Sequence, residues 1–203
     1  IVTAASPLRP ITAYGRSKVV AERHVAAFAQ DLPVTTLRPP GVYGPRDTDF
    51  LTLFQAASKG LSLLAGRPTK RYSLIHSEDL AQAFVAAARS PVTRGEAYLV
   101  AHPEVVTLAE KVASAEAAVG RRSRRIALPE SLMLLVGTCA DLVSQWTGRS
   151  SVLGSERMRE LVAEDWVCSV APFQAATGWR PTRDIETGFR ETVAWYRREG
   201  LLR

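Results

Sequence analysis

Apolar residues recur at three- and four-residue spacing over 14–30, 48–59, 78–89, 107–119, 130–146, 155–163 and 184–199, a period that predicts helices. Shorter runs at 34–38, 72–75, 96–101 and 124–127 hold their apolar and β-branched residues together and predict strands. Helices and strands alternate for most of the length. That order predicts an α/β chain with parallel strands. Thr107 and Ser155 suit the N-cap positions of the helices they precede, and Gly60, Gly120 and Gly148 suit helix stops. No internal repeat, low-complexity tract or linker divides the chain.

Composition adds limits. With 203 residues, 46% of them hydrophobic, the chain can bury one core of ordinary size. Its longest apolar run, 132–143, is too short to span a bilayer and contains Thr138, Cys139 and Asp141. Cys139 and Cys168 have no metal-ligand spacing and suggest no disulfide framework, so a reducing cytoplasm is the expected location and no metal is expected. The net charge of +6 is densest at Arg121-Arg122-Ser123-Arg124-Arg125. That cluster has no interleaved aromatics and runs directly into Ile126-Ala127-Leu128-Pro129. It reads as a solvated helix-to-strand connection, not a nucleic-acid surface.

The chemistry-bearing stretch is Tyr14-Gly15-Arg16-Ser17-Lys18. Its phenol and ammonium stand four residues apart, hence on one helix face. A phenol is a poor base at neutral pH, and a fixed ammonium beside it favours the phenolate. Such a pair can move a proton on and off a hydroxyl or carbonyl. The spacing alone is common. It gains weight from the strand 34–38, which ends in the turn cluster Pro39-Pro40-Gly41-Val42-Tyr43-Gly44-Pro45-Arg46-Asp47. Farther on come Ser73-Leu74-Ile75-His76-Ser77-Glu78-Asp79-Leu80-Ala81 and Thr177-Gly178-Trp179-Arg180-Pro181, and then a terminal helix with Trp195-Tyr196.

In these four motifs, taken in order, the chain resembles the extended short-chain dehydrogenase/reductase family, which includes the NAD-dependent epimerases and dehydratases. The resemblance implies the C-terminal part of a Rossmann-type doubly wound parallel sheet with a smaller substrate-binding lobe. Strands 34–38 and 96–101 would complete the cofactor sheet. Residues 1–60, with 77–102 interleaved, would belong to the NAD(P)-binding part, and 61–76 and 103–203 mainly to the substrate lobe. Tyr14 would be the acid/base. Lys18 would tune it and bind the nicotinamide ribose of NAD or NADP. The backbone at Pro39, Gly41 and Val42 would pack on the nicotinamide. The family also implies a small-molecule substrate and a homodimer through helices 14–30 and 48–59, with Val20, Ala27, Leu53 and Ala57 on the paired faces.

The family's glycine-rich loop has no counterpart in this sequence, which begins at Ile1. The expectation is therefore a C-terminal part of a longer enzyme, inactive alone and unable to hold NAD(P). Its catalytic Ser or Thr would lie upstream, Ser6 and Thr3 being weak stand-ins. The turn cluster looks most like the 3β-hydroxysteroid dehydrogenase and dihydroflavonol reductase branch, which implies an oxidoreductase acting on an apolar, ring-containing substrate. Gly41 stands where many nucleotide-sugar members carry Asn. A nucleotide-sugar epimerase or dehydratase and a non-catalytic NAD(P)-binding subunit stay open as alternatives. Arg67, Lys70 and Arg71 could form an anion site but read as solvated surface. His76 reads as a packing or hydrogen-bonding residue, His24 and His102 have no role, and Trp179, Trp146, Trp166 and Trp195 read as packing residues.

Overall fold

A computed structural model describes residues 1–147, 154–163 and 165–202. Among them the strands form three small sheets. β1 (Thr36–Arg38) pairs in parallel with β5 (Ala97–Leu99). β2 (Gly41–Tyr43) pairs in parallel with β4 (Arg71–His76), whose other edge takes β6 (Val105–Thr107) antiparallel. β3 (Leu61–Ala65) pairs in parallel with β7 (Arg124–Leu128). Around them lie α1 (Ala13–Ala26), α2 (Leu51–Ser58), α3 (Ser77–Arg89), α4 (Leu108–Val119), α5 (Glu130–Thr147), α6 (Ser155–Val162), α7 (Ala171–Thr177) and α8 (Ile185–Arg198). Strands 34–38 and 96–101, expected in one sheet, are direct neighbours as β1 and β5, and the α/β class with parallel strands holds.

The differences have local causes. β2 lies inside the stretch read as a turn, because Val42 and Tyr43 pair with Ile75 and His76 in a strand too short to show a period. β3 carries no β-branched residue, and β6 is three residues long. α7 is seven residues long and carries a proline in its first turn. Thr107 caps α4 as expected, in a capping box with Glu110. Ser155 does not cap α6. The cap position is Gly154, and the Ser155 amide donates to the Asp141 carboxylate at 3.1 Å. Gly148, the expected stop of α5, lies outside the described residues.

The main core joins β2 and β4 to α2, α4 and α8 through Tyr43, Phe54, Phe189 and Tyr196. Phe189 stands edge-on to Tyr43 and Phe54, each with ring centres 5.0 Å away. Ile75, Val100, Phe173 and Trp179 form a second cluster under α3, so Trp179 is the core anchor its motif implied. Trp195 packs against the main core. Trp166, also expected to pack, is 39% exposed and joins the fold through its backbone, its amide donating to Arg71 O at 2.9 Å. Trp146 overturns the packing expectation, because it is 94% exposed.

Two buried charges tie distant segments together. Asp79, in the first turn of α3, is fully buried and accepts from Thr182 N, Thr182 Oγ1 and Arg183 N at 3.1, 2.8 and 3.1 Å. Lys70 was expected on a solvated surface, yet only 4% of it is exposed. Its ammonium donates to the carbonyls of Leu161 (2.8 Å) and Glu160 (3.4 Å) at the C-terminal end of α6, where a helix dipole favours a cation. Desolvation outweighs the neighbouring carboxylates and pulls the Lys70 ammonium down to about 8.

Lys70 therefore gives stability a pH dependence. In the unfolded chain a lysine keeps its proton up to ~10.4. Between about 8 and that value the unfolded state binds more protons, so stability rises with pH. Thermal melts of the full-length protein between pH 7 and 9.5 should show a gain of about 2 kcal/mol that the Lys70→Met variant lacks. Parallel curves for the two proteins would contradict the assignment.

Candidate active site

Thr12 caps α1, its hydroxyl accepting from Gly15 N at 3.0 Å, and this fixes the turn that carries Tyr14. No residue of α1 is buried. Polar links hold it instead. The guanidinium of Arg38, at the end of β1, donates twice to the Glu22 carboxylate and once to Ala4 O at 3.1 Å. At the other side Glu156 of α6 accepts from Ala13 N at 2.9 Å and from Arg16 at 3.0 Å. The Ala13 amide first, and then Arg16, hold the Glu156 carboxyl below the usual range.

These contacts frame a cleft of about 1370 Å³. Tyr14, Pro39, Pro40, Gly41 and Val42 line one side of it. Leu63 of β3, Tyr72 of β4, and Leu108 and Lys111 of α4 line the floor. Asp141 and Ser144 of α5, with Glu156, Glu160 and Leu161 of α6, complete the wall. Pro39 and Pro40, with the start of β2, follow the carboxyl end of the parallel strand β1, where sheets of this kind bind ligands.

Tyr14 is 71% exposed, and its ring lies 5.1 Å from the Lys18 ammonium. Four of the five expected site residues, Tyr14, Pro39, Gly41 and Val42, thus line one cleft. Lys18 sits one turn behind Tyr14. Thr3 and Ser6 do not line the cleft, and bond each other in a turn, Thr3 N donating to Ser6 Oγ at 2.9 Å.

Gly41 has a packing reason. A Cβ there would stand 2.7 Å from Leu74 Cδ2, so the β2–β4 approach excludes a side chain unless Leu74 moves. The lesser reading of Arg67, Lys70 and Arg71 as an anion site gains no support. Lys70 is buried on α6, and Arg71 pairs with Asp165 at 2.7 Å. His76 packs as expected: buried, its Nδ1 accepts from Glu78 N at 3.3 Å and its ring stands edge-on to Tyr43. Among the described residues no group of His, Cys, Asp and Glu could hold a metal.

Sequence reasoning missed Glu156 and Arg38. A bond spanning 143 residues, as between Ala13 and Glu156, leaves no mark in local pattern. Arg38 stood in the quoted motif, but its partner on α1 could not be read there.

Comparisons with known proteins fit this geometry. Residues 2–101 match the model of the NAD dependent epimerase/dehydratase family. The chain is 36% identical to ceramide reductase of Caulobacter vibrioides, across 93% of this chain and 58% of that protein. It is 27% identical to the decarboxylating sterol-4-alpha-carboxylate 3-dehydrogenase of Saccharomyces cerevisiae, again across 93% of this chain and 58% of the relative. The chain thus spans less than two thirds of these curated relatives. Among solved structures, dTDP-glucose 4,6-dehydratase of Bacillus anthracis in complex with NAD superposes with a TM-score of 0.71 at 19% identity, covering 99% of this chain and 57% of that one. This last likeness concerns the fold, a Rossmann-type α/β arrangement. The tyrosine helix and the strand-end turn that face one cleft both lie within residues 2–101, the stretch that matches the NAD dependent epimerase/dehydratase family.

Proposed function

We propose that the full-length protein carrying this chain is an NAD(P)-dependent oxidoreductase of the extended short-chain type, acting on a hydroxyl or ketone carbon of an apolar substrate. The observation that carries this reading is the convergence of Tyr14, Pro39, Gly41 and Val42 on one cleft. A bound nicotinamide supplies or accepts the hydride. Pro39, Gly41 and Val42, which line the cleft and carry no charged side chain, would hold its ring. Tyr14 holds the proton that passes to or from the substrate oxygen, and Lys18 places positive charge beside the phenol and bonds the ribose. Asp47 keeps the next turn in place by accepting from Asp49 N and Phe50 N, each at 3.0 Å.

The apolar substrate class rests on the apolar part of the cleft, which also carries Lys111, Asp141, Glu156 and Glu160. Leu63, Leu108 and Val112 line the floor, Lys70 and Arg71 are engaged elsewhere, and Gly41 offers no side-chain donor. The named activities of the two curated relatives, a ceramide reductase and a sterol dehydrogenase, support the same class. The test is a panel of apolar ketones and alcohols against nucleotide sugars, with NADH, NADPH and their oxidised forms, on the full-length protein. The expected result is turnover of apolar substrates with net change in reduced-nicotinamide absorbance. Turnover of nucleotide sugars without net change would overturn this reading.

The division into a cofactor part (1–60 with 77–102) and a substrate lobe (61–76 and 103–203) belongs to the same proposal. The β1–β5 pair supports it, while α2 shares a core with α4 and α8 and so ties the two parts together. So does a homodimer, with a changed surface. Leu53 packs against the core and Ala57 is fully buried in it, so α2 cannot offer them to a partner. Val20, Val25 and Phe28, on and just after α1, are exposed and support pairing through this helix. Sedimentation of the full-length protein at micromolar concentration should give a dimer, and a monomer would contradict it.

A further inference from the structure

α5 is an inside-out helix. At about 100° per residue, Met133, Gly137, Ala140, Asp141 and Ser144 fall on one face, and all five are buried or half-buried. A Cβ on Gly137 would stand 2.8 Å from Met158 Cγ and 2.9 Å from Ser155 Cα, so this face lies tightly on α6. The face holds Asp141, the polar group that anchors the Ser155 amide, and both Asp141 and Ser144 reach the cleft. The opposite face carries Leu132, Leu135, Val136, Leu142, Val143 and Trp146, all exposed. No charged residue interrupts it, because Glu130 stands at the helix start and Asp141 points inward. A contiguous stripe of this kind marks an interaction site.

We infer that α5 docks this protein on an anionic lipid bilayer, lying in the interface with its outer stripe among the acyl chains. Three observations choose a membrane over other occupants. The stripe is joined, through Pro129 alone, to the arginine-rich strand β7. Arg121 donates to Ser58 O at 2.8 Å and Arg125 pairs with Glu116 at 2.7 Å, while Arg122 and Arg124 are exposed beside them. An apolar helix face next to a basic cluster fits acyl chains next to anionic headgroups. Trp146 at the far end of the helix is 94% exposed, and an indole there suits the membrane–water boundary. With 18 residues α5 is about 27 Å long, and no described helix is long and apolar enough to cross a membrane, so the helix lies flat.

In the docked orientation α5 stands between the lipid and the cleft, because the face that carries Asp141 and Ser144 to the cleft is turned away from the stripe. The docking itself stands apart from the oxidoreductase reading, because vesicle binding is measured without turnover.

The test is cosedimentation of the full-length protein with vesicles of phosphatidylcholine alone or mixed with phosphatidylglycerol. The wild type should pellet with the mixed vesicles and be released by salt. Leu135→Glu/Leu142→Glu on the stripe and Arg122→Glu/Arg124→Glu on the cluster should each weaken binding about tenfold or more. Trp146→Ala, a smaller change at an exposed site, should weaken it less. Melting curves matching the wild type show that the variants are folded. The inference is overturned if the wild type stays in the supernatant with both vesicles, or if the stripe variant binds like the wild type. It is equally overturned if the stripe variant breaks a dimer of a wild type that ignores vesicles, since a second copy then covers α5.

Discussion

Tyr14→Phe should lower the turnover of the full-length enzyme by ~10²–10⁴-fold, the usual worth of a positioned proton-transfer group. The substitution removes one hydroxyl from a side chain that is mostly exposed and lies on a helix without buried residues. Folding energy therefore has almost nothing to lose, and the melting curve should not move. KM should change little, because the phenol contributes to proton transfer more than to holding the substrate. Thr12, Glu22 and Glu156, which position α1, keep their partners in the variant. A variant with near wild-type turnover would remove Tyr14 from the chemistry.

Asp79→Ala should cost about 3 kcal/mol of folding stability, within a range of roughly 2–5, because it removes a fully buried carboxylate that accepts three hydrogen bonds. Asp79 takes both backbone amides of Thr182 and Arg183 and the Thr182 hydroxyl. Arg183 in turn reaches Glu78 and, at 2.8 Å, Glu191. One carboxylate thus fixes the approach of α8 to the start of α3, over a sequence distance of 103 residues. Asp79→Asn keeps one acceptor oxygen and should cost less than the alanine. Denaturant unfolding of the full-length protein reads both. A loss below about 1 kcal/mol for the alanine would show that the 182–183 segment is held by other contacts.

Much of this was legible in the sequence, where chemistry and local pattern coincide. Tyr14 and Lys18 announce themselves by spacing, and the turn at 39–42 by its Pro and Gly content. The cleft that collects Tyr14, Pro39, Gly41 and Val42 follows from the order helix, strand, turn. Thr107 and Gly120 bracket α4 as their types demand. Contacts decided by tertiary packing were not legible. Lys70 looked like surface because lysine usually is, and only the carbonyl ends of α6 explain its burial. Leu53 and Ala57 sit at helical spacing that fits an outer face or a core face equally, and the core took them. Trp146 was read as packing because tryptophan usually is, and the outward face of α5 reverses that expectation.

The central claim is that the wall at 39–42 receives a nicotinamide within reach of Tyr14. A crystal structure of the full-length protein with NAD(H) or NADP(H) and an apolar ketone tests it most directly. The account predicts the nicotinamide ring against Pro39, Gly41 and Val42, with the Tyr14 hydroxyl about 3 Å from the ketone oxygen. A ring seated elsewhere, or a ketone beyond the reach of Tyr14 and of any single bridging water, would contradict it.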